Sequence, residues 1–349
     1  MTTTSSAGGG PARKRRALVC GVGGQDGAYL SELLLGKDYE VIGTSRDAAG
    51  VSLRGLHSLG IADRVSIVSM TPNDYRSVLQ AVSRWQPDEI YNLAGQTSVG
   101  LSFEQPVEAI ESIAIGTLNL LEAIRFVGAP IRLYNAGSSE CFGDTGTAPA
   151  SESTPFSPRS PYAVAKACAH NLVANYRSAY AMFACTGILF NHESPLRPER
   201  FVTQKVVQAA ARIAAGSRET LTLGNLDIHR DWGWAPEYVE AMWLMLQQEA
   251  PRDFVIATGT TVSLEYFVER CFGHFGLDWR SHTRHDNGLM RPSDIRFGSA
   301  DPSQAAGNLG WQARCGVNEL VERLCVAAAF KTDRQAAVNE PNSRAAMRR

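Results

Sequence analysis

The chain has 349 residues, 44% of them hydrophobic and 20% charged, which is enough to bury a sizeable core in one large domain with a smaller companion. Lys and Arg together number 34 against 35 Asp and Glu, a balance that excludes a chain built to grip nucleic acid or an anionic membrane surface. The seven cysteines are scattered, odd in number and without ligand spacing, which argues against a disulfide framework and a bound metal and for a reducing cytoplasm.

Residues 1–16, MTTTSSAGGGPARKRR, lack the apolar core of a secretory signal and are expected to form a disordered, solvated basic tail. No apolar run along the chain reaches the ~20 residues of a membrane span, so no membrane partner is expected. Short β-rich runs then follow in order: ALVC at 17–20, EVIGT at 40–44, RVSIVS at 64–69, EIYNLA at 89–94 and IRLYNA at 131–136. Helical patterns fall between most of them, at 28–36, 75–85 and 108–126. This alternation predicts an α/β fold with a parallel sheet covered on both faces. After about residue 190 the alternation loosens. Residues 17–190 are therefore expected to form mainly the nucleotide-binding domain, and 191–330 mainly a substrate-binding portion with some strands and helices returning to the first. A second polar tail is expected over 331–349.

The first strand runs directly into Cys20-Gly21-Val22-Gly23-Gly24-Gln25-Asp26-Gly27, with glycines 21, 24 and 27 opening a helix. That order lets the backbone turn sharply, approach a pyrophosphate and present a helix N-terminus to it, as in a Rossmann-type dinucleotide site. At the end of the second strand an acidic residue would favour NAD; the chain has Thr44-Ser45-Arg46, and a guanidinium there suits the 2′-phosphate of NADP.

Further on, Ser160-Pro161-Tyr162-Ala163-Val164-Ala165-Lys166 places a phenol and an amine four residues apart, on one face of a helix. The ammonium and the positive charge of a bound nicotinamide are expected together to lower the phenol's pKa, so that Tyr162 can exchange a proton with a sugar hydroxyl during hydride transfer. The preceding strand ends in Asn135-Ala136-Gly137-Ser138-Ser139-Glu140, and a carboxylate two residues beyond a hydroxyl suggests proton abstraction from carbon.

With these motifs the chain resembles the GDP-mannose 4,6-dehydratases of the extended short-chain dehydrogenase superfamily. The matching text includes GQDGAYLSELLL at 24–35, YNLAGQTSVGLSFEQP at 91–106, FNHESP at 190–195, GNLD at 224–227 and RDWG at 230–233. The resemblance implies a catalytic group of Ser138, Glu140, Tyr162 and Lys166. It implies a cycle in which Tyr162, supported by Lys166, deprotonates the hydroxyl on sugar carbon 4 as NADP takes the hydride. Glu140 then deprotonates carbon 5, water leaves from carbon 6 with acid help from either Glu140 or Ser138, and the hydride returns to carbon 6. It further implies that Leu93, Gly95, Gln96, His192 and Arg197 line the cofactor, beside Gly21, Gly24, Gln25, Asp26, Gly27 and Arg46 of the two segments read above. Asn191, Lys205, Arg230 and Arg291 then face a GDP-sugar, and the assembly is a homodimer or a homotetramer.

The chain departs from the family's usual text in SRDAAGVSLRG at 45–55, Ser69-Met70-Thr71, Gly95, Ser138 and Leu196. Two other activities share much of the pattern: dehydration of a related GDP-sugar such as a manno-heptose, and reduction of GDP-4-keto-6-deoxymannose.

Overall fold

The computed structural model describes residues 13–289 and 293–339. The first half alternates as β1 (Arg16–Cys20), α1 (Gln25–Gly36), β2 (Glu40–Ser45), α2 (Arg54–Ser58), β3 (Ser66–Ser69), α3 (Tyr75–Trp85) and β4 (Glu89–Asn92). Then come α4 (Val99–Glu104), α5 (Pro106–Ile110), α6 (Gly116–Val127), β5 (Arg132–Ala136), α7 (Pro161–Tyr180) and β6 (Ala184–Leu189). The second half holds β7 (Asn191–Glu193), α8 (Val202–Ala214), β8 (Leu221–Leu223), β9 (His229–Trp234), α9 (Ala235–Gln247) and β10 (Phe254–Ile256). It ends with β11 (Thr261–Ser263), α10 (Leu264–His274), β12 (Thr283–His285), β13 (Phe297–Gly298) and α11 (Val317–Asn339).

Seven of these strands form a parallel sheet in the order β10-β6-β5-β4-β1-β2-β3. Alternate residues of each strand face opposite layers of helices. Ala17, Val19, Tyr91 and Tyr134 pack with Leu30 and Leu34 of α1 and Met242 and Leu246 of α9. Leu18, Ile42, Ile90 and Leu133 pack instead with Val78 of α3, Leu120 of α6 and Val173 of α7. Burial on both faces explains why the strands read as continuous apolar runs without alternation. Strand β10 belongs to this sheet and helix α9 packs on it, although both lie beyond residue 190.

A smaller unit is built on β9, which pairs with β7, β11 and β13, and on the β8–β12 pair. Its core joins α8, α10 and α11 around Trp232, which meets Phe267 at 5.2 Å between ring centroids.

Three expectations need correction. The cluster Arg13–Arg16 keeps largely exposed side chains but is not a disordered arm: Arg16 opens β1 and its Nε lies 2.7 Å from Glu40, while Arg13 pairs with Asp88 at 2.8 Å. Arg15 bonds Gln247 at 2.8 Å, and opposite charges at the N-terminal ends of the strands hold the segment down. The polar segment from 331 continues α11 as far as Asn339; residues 1–12 and 340–349 lie outside the described residues. The helix expected over 108–126 is interrupted by a wide turn over Glu111–Ile115. There the Thr117 hydroxyl donates to the Ile113 carbonyl at 2.7 Å, which competes with the regular ladder.

Candidate functional site

The strand order reverses between β1 and β4, so the connections after these strands leave in opposite directions and a crevice opens at their C-terminal ends. There lies a cleft of about 390 Å³, closed from the other side by the smaller unit.

The glycine turn forms one edge of this crevice. Gly21 sits at φ 82°, and a Cβ on Gly27 would lie 2.5 Å from the Gly21 carbonyl oxygen, so neither position accepts another residue without strain. Gly24 starts α1 with no side-chain cap, leaving backbone N–H groups for an anionic ligand. A dinucleotide's pyrophosphate fits this cradle.

Just inside, Asp26 and His192 form an ion pair that ties α1 to β7. His192 Nε2 lies 2.9 Å from Asp26 Oδ2, and its Nδ1 lies 2.8 Å from the Phe190 carbonyl oxygen. Both ring nitrogens face acceptors, an arrangement that favours the doubly protonated ring. Burial alone would lower the pKa of His192, but the charge and hydrogen bond of Asp26 outweigh it and the net shift is upward. For Asp26, burial pulls upward, yet the charge of His192 and hydrogen bonds from His192 and Gln25 bring the carboxyl down to about 2. The ring stacks on Tyr238, 4.6 Å between centroids, and Gln25 bridges to Ser194 at 2.7 Å.

The catalytic candidates come from β5 and α7. Ser160 caps α7, its hydroxyl accepting from Ala163 N at 3.1 Å, and Pro161 occupies the first turn, which fixes where the helix starts. Tyr162 and Lys166 therefore share the face toward the cleft, with the Lys166 ammonium 5.8 Å from the phenol ring centroid. Lys166 Nζ donates to the Ala136 carbonyl at 2.7 Å, and burial pushes its pKa down to about 8. In the free protein burial raises the pKa of the Tyr162 phenol, and the first group opposing that rise is the Ser138 hydroxyl. Ser138 also accepts from Glu140 N at 3.3 Å, capping the short turn Ser139–Phe142 that carries Glu140 to the cleft wall. The structure thus brings Ser138, Glu140, Tyr162 and Lys166 together around one space.

Asp26, Leu93, Asn191, His192 and Arg197 line the same cleft, as do Lys205 and Arg230 on the smaller unit. The Arg197 guanidinium lies 3.8 Å over the Phe201 ring, its Nε 3.4 Å from Glu193. Lys205 donates to the Thr222 carbonyl at 2.7 Å, and Arg230 to that of His229 at 2.9 Å. Gln25 supports the wall through Ser194. Gly95, at φ 118°, packs against Ile113, and the Gln96 side chain is spent on the 96–98 turn through Ser98. Arg46 is 76% exposed at the end of β2, 3.7 Å from Glu108 and outside the cleft wall. Arg291 lies outside the described residues.

Sequence reading missed Arg200, Phe201 and Asp294, which also line the cleft. Arg200 carried a usable signal: a cation just before a helix opposes the helix dipole, so its presence there calls for a reason.

The family model described as GDP-mannose 4,6 dehydratase matches residues 18–324. GDP-mannose 4,6 dehydratase 2 of Arabidopsis thaliana is 45% identical over 321 residues, covering 89% of this chain and 86% of that protein. GDP-mannose 4,6-dehydratase of Sinorhizobium fredii is 43% identical over 331 residues, covering 88% and 94%. Among solved structures, dTDP-glucose 4,6-dehydratase from Bacillus anthracis superposes with a TM-score of 0.79 at 17% identity, covering 92% of this chain and 98% of that one. UDP-glucose 4-epimerase from Thermotoga maritima gives 0.80 at 20%, covering 91% and 99%; these likenesses speak for the fold alone. By the family match and the identity to its members, the chain belongs to the GDP-mannose 4,6-dehydratase family.

Proposed function

We propose that the protein is a GDP-mannose 4,6-dehydratase, converting GDP-mannose to GDP-4-keto-6-deoxymannose and water with NADP as a resident cofactor. The observation that carries this reading is the convergence of Glu140 with Ser138, Tyr162 and Lys166 on one cleft. A simple ketone reductase has no use for a carboxylate there.

The cradle of Gly21, Gly24 and Gly27 would hold the cofactor, with Leu93, Gly95, Gln96, His192 and Arg197 along it. When bound, the nicotinamide supplies a hydride acceptor and donor within a single turnover, so no net reductant is consumed. Arg46, at the end of β2 where an acid would select NAD, favours NADP. Tyr162 takes the proton from the carbon 4 hydroxyl. In the free site burial keeps that phenol protonated, and the Lys166 ammonium one helical turn away favours the phenolate once the hydroxyl is in place. Oxidation at carbon 4 acidifies carbon 5, and Glu140 removes that proton. Departure of hydroxide from carbon 6 is assisted by a proton from Glu140 or from the Ser138 hydroxyl. Asn191, Lys205, Arg230 and Arg291 are assigned to the GDP-sugar.

The reading includes a homodimer, or a homotetramer. Its support is the set of exposed apolar side chains Val107, Ile115 and Phe126 along α5–α6 and Val164 and Tyr180 on α7. No helix is long and apolar enough to cross a membrane among the described residues, and the free cysteines suit a reducing cytoplasm.

Holoenzyme incubated with GDP-mannose and no added NADPH should release a product lighter by one water, identified by mass spectrometry. Glu140→Gln should slow release by about 10²- to 10⁴-fold. Full-rate release by that variant, or a requirement for stoichiometric NADPH, refutes the proposal.

A further inference from the structure

Arg200 is a cleft cation that the proposed cycle does not use. It stands two residues before α8 and lines the wall that also carries Lys205 and Arg230. Among the described residues its guanidinium has no carboxylate or hydrogen-bond partner; it meets only the face of Phe201, 5.0 Å from the ring centroid. The adjacent acid is taken, since Glu199 lies 2.8 Å from Arg212. The other cleft cations are engaged by the protein: Lys166 by the Ala136 carbonyl, Arg197 by Glu193, Lys205 by the Thr222 carbonyl and Arg230 by that of His229. Beyond that ring contact the local fold offers Arg200 little, because a positive charge preceding a helix opposes its dipole. An anionic ligand in the cleft would give this exposed guanidinium the charged partner that the described residues do not supply.

We propose that Arg200 clamps the diphosphate of the nucleotide sugar and so helps select a nucleoside diphosphate sugar over its dephosphorylated parts. Sugar hydroxyls do not call for a full charge. A guanidinium can grip two phosphate oxygens in parallel, and these replace the water around it. The neighbouring Phe201 ring limits where the guanidinium can swing. The proposal rests on the GDP-sugar reading above and adds a binding residue to it.

The test compares wild type, Arg200→Ala and Arg200→Lys as full-length holoenzymes. KM for GDP-mannose and Kd for GDP should rise about tenfold in Arg200→Ala, with kcat changing less than KM, and Arg200→Lys should recover part of the loss. Affinities for guanosine, which lacks phosphates, and for NADP should stay within about twofold. Equal GDP binding by wild type and Arg200→Ala overturns the proposal and leaves the dehydratase reading intact. A matching loss for guanosine assigns Arg200 to the base, and a loss confined to NADP assigns it to the cofactor; either overturns the diphosphate clamp. Wild-type protein that neither binds GDP nor turns over GDP-mannose overturns both.

Discussion

Asp26→Asn keeps the shape of the side chain that joins α1 to β7 and removes its charge. In the native protein the carboxyl falls from an ordinary 3.8 to about 2, His192 being its main charged partner. At ~1.4 kcal/mol per pH unit this fall corresponds to about 2 kcal/mol of stability. The pH window follows from both partners. The folded value of Asp26 is depressed, so its contribution is complete above 3.8 and is lost as pH falls through about 2. The folded value of His192 is raised above 6.5, so its contribution is complete below 6.5 and is lost as pH rises through the raised value. The variant should therefore be less stable than wild type by about 2 kcal/mol near pH 5 to 6, with a deficit that narrows in alkaline solution. Urea unfolding of both proteins at fixed ionic strength, from roughly pH 5 to 9, measures it. A deficit of constant size across that range would refute the imidazolium pair, because a histidine that stays neutral beside either the native carboxyl or its amide replacement has no such dependence.

Lys166→Met should abolish turnover and yet stabilise the free protein. Burial brings the amine from 10.5 to about 8, so the native state is penalised for the charge below about 8, and the penalty disappears as pH rises toward 10.5. Of the ~3 kcal/mol involved, about 1 is offset by leaving the Ala136 carbonyl without its donor, for a net gain of about 2 kcal/mol at pH 7. A variant less stable than wild type at that pH contradicts this. Phe126→Glu, at a side chain 71% exposed on α6, should weaken the proposed dimer by about 10²- to 10⁴-fold, since two-fold symmetry counts each ~1.5–3 kcal/mol burial twice. Sedimentation showing a monomeric wild type, or a variant that dimerises as strongly, would refute that face.

Local sequence determined the elements and the parts of the site that need only one element. Apolar runs at 17–20, 40–44, 89–94 and 131–136 became sheet strands because residues buried on both faces leave a continuous apolar signature. The glycines after β1 and the four-residue spacing of Tyr162 and Lys166 were legible because turn strain and helix periodicity act over a few residues. What depended on segments far apart in the chain was decided only by tertiary structure. Asp26 and His192 are 166 residues apart and Arg15 and Gln247 are 232 apart, and no local pattern announces either pairing. Burial, and with it the fall of Lys166 and the rise of Tyr162, depends on what other segments place over a side chain. The isolation of Arg200 is of the same kind, since its neighbour Glu199 could have neutralised it until packing gave that acid to Arg212. Charge and periodicity propose partners along the chain; the packed core selects among them, because Coulomb energy and desolvation are set by distances in space.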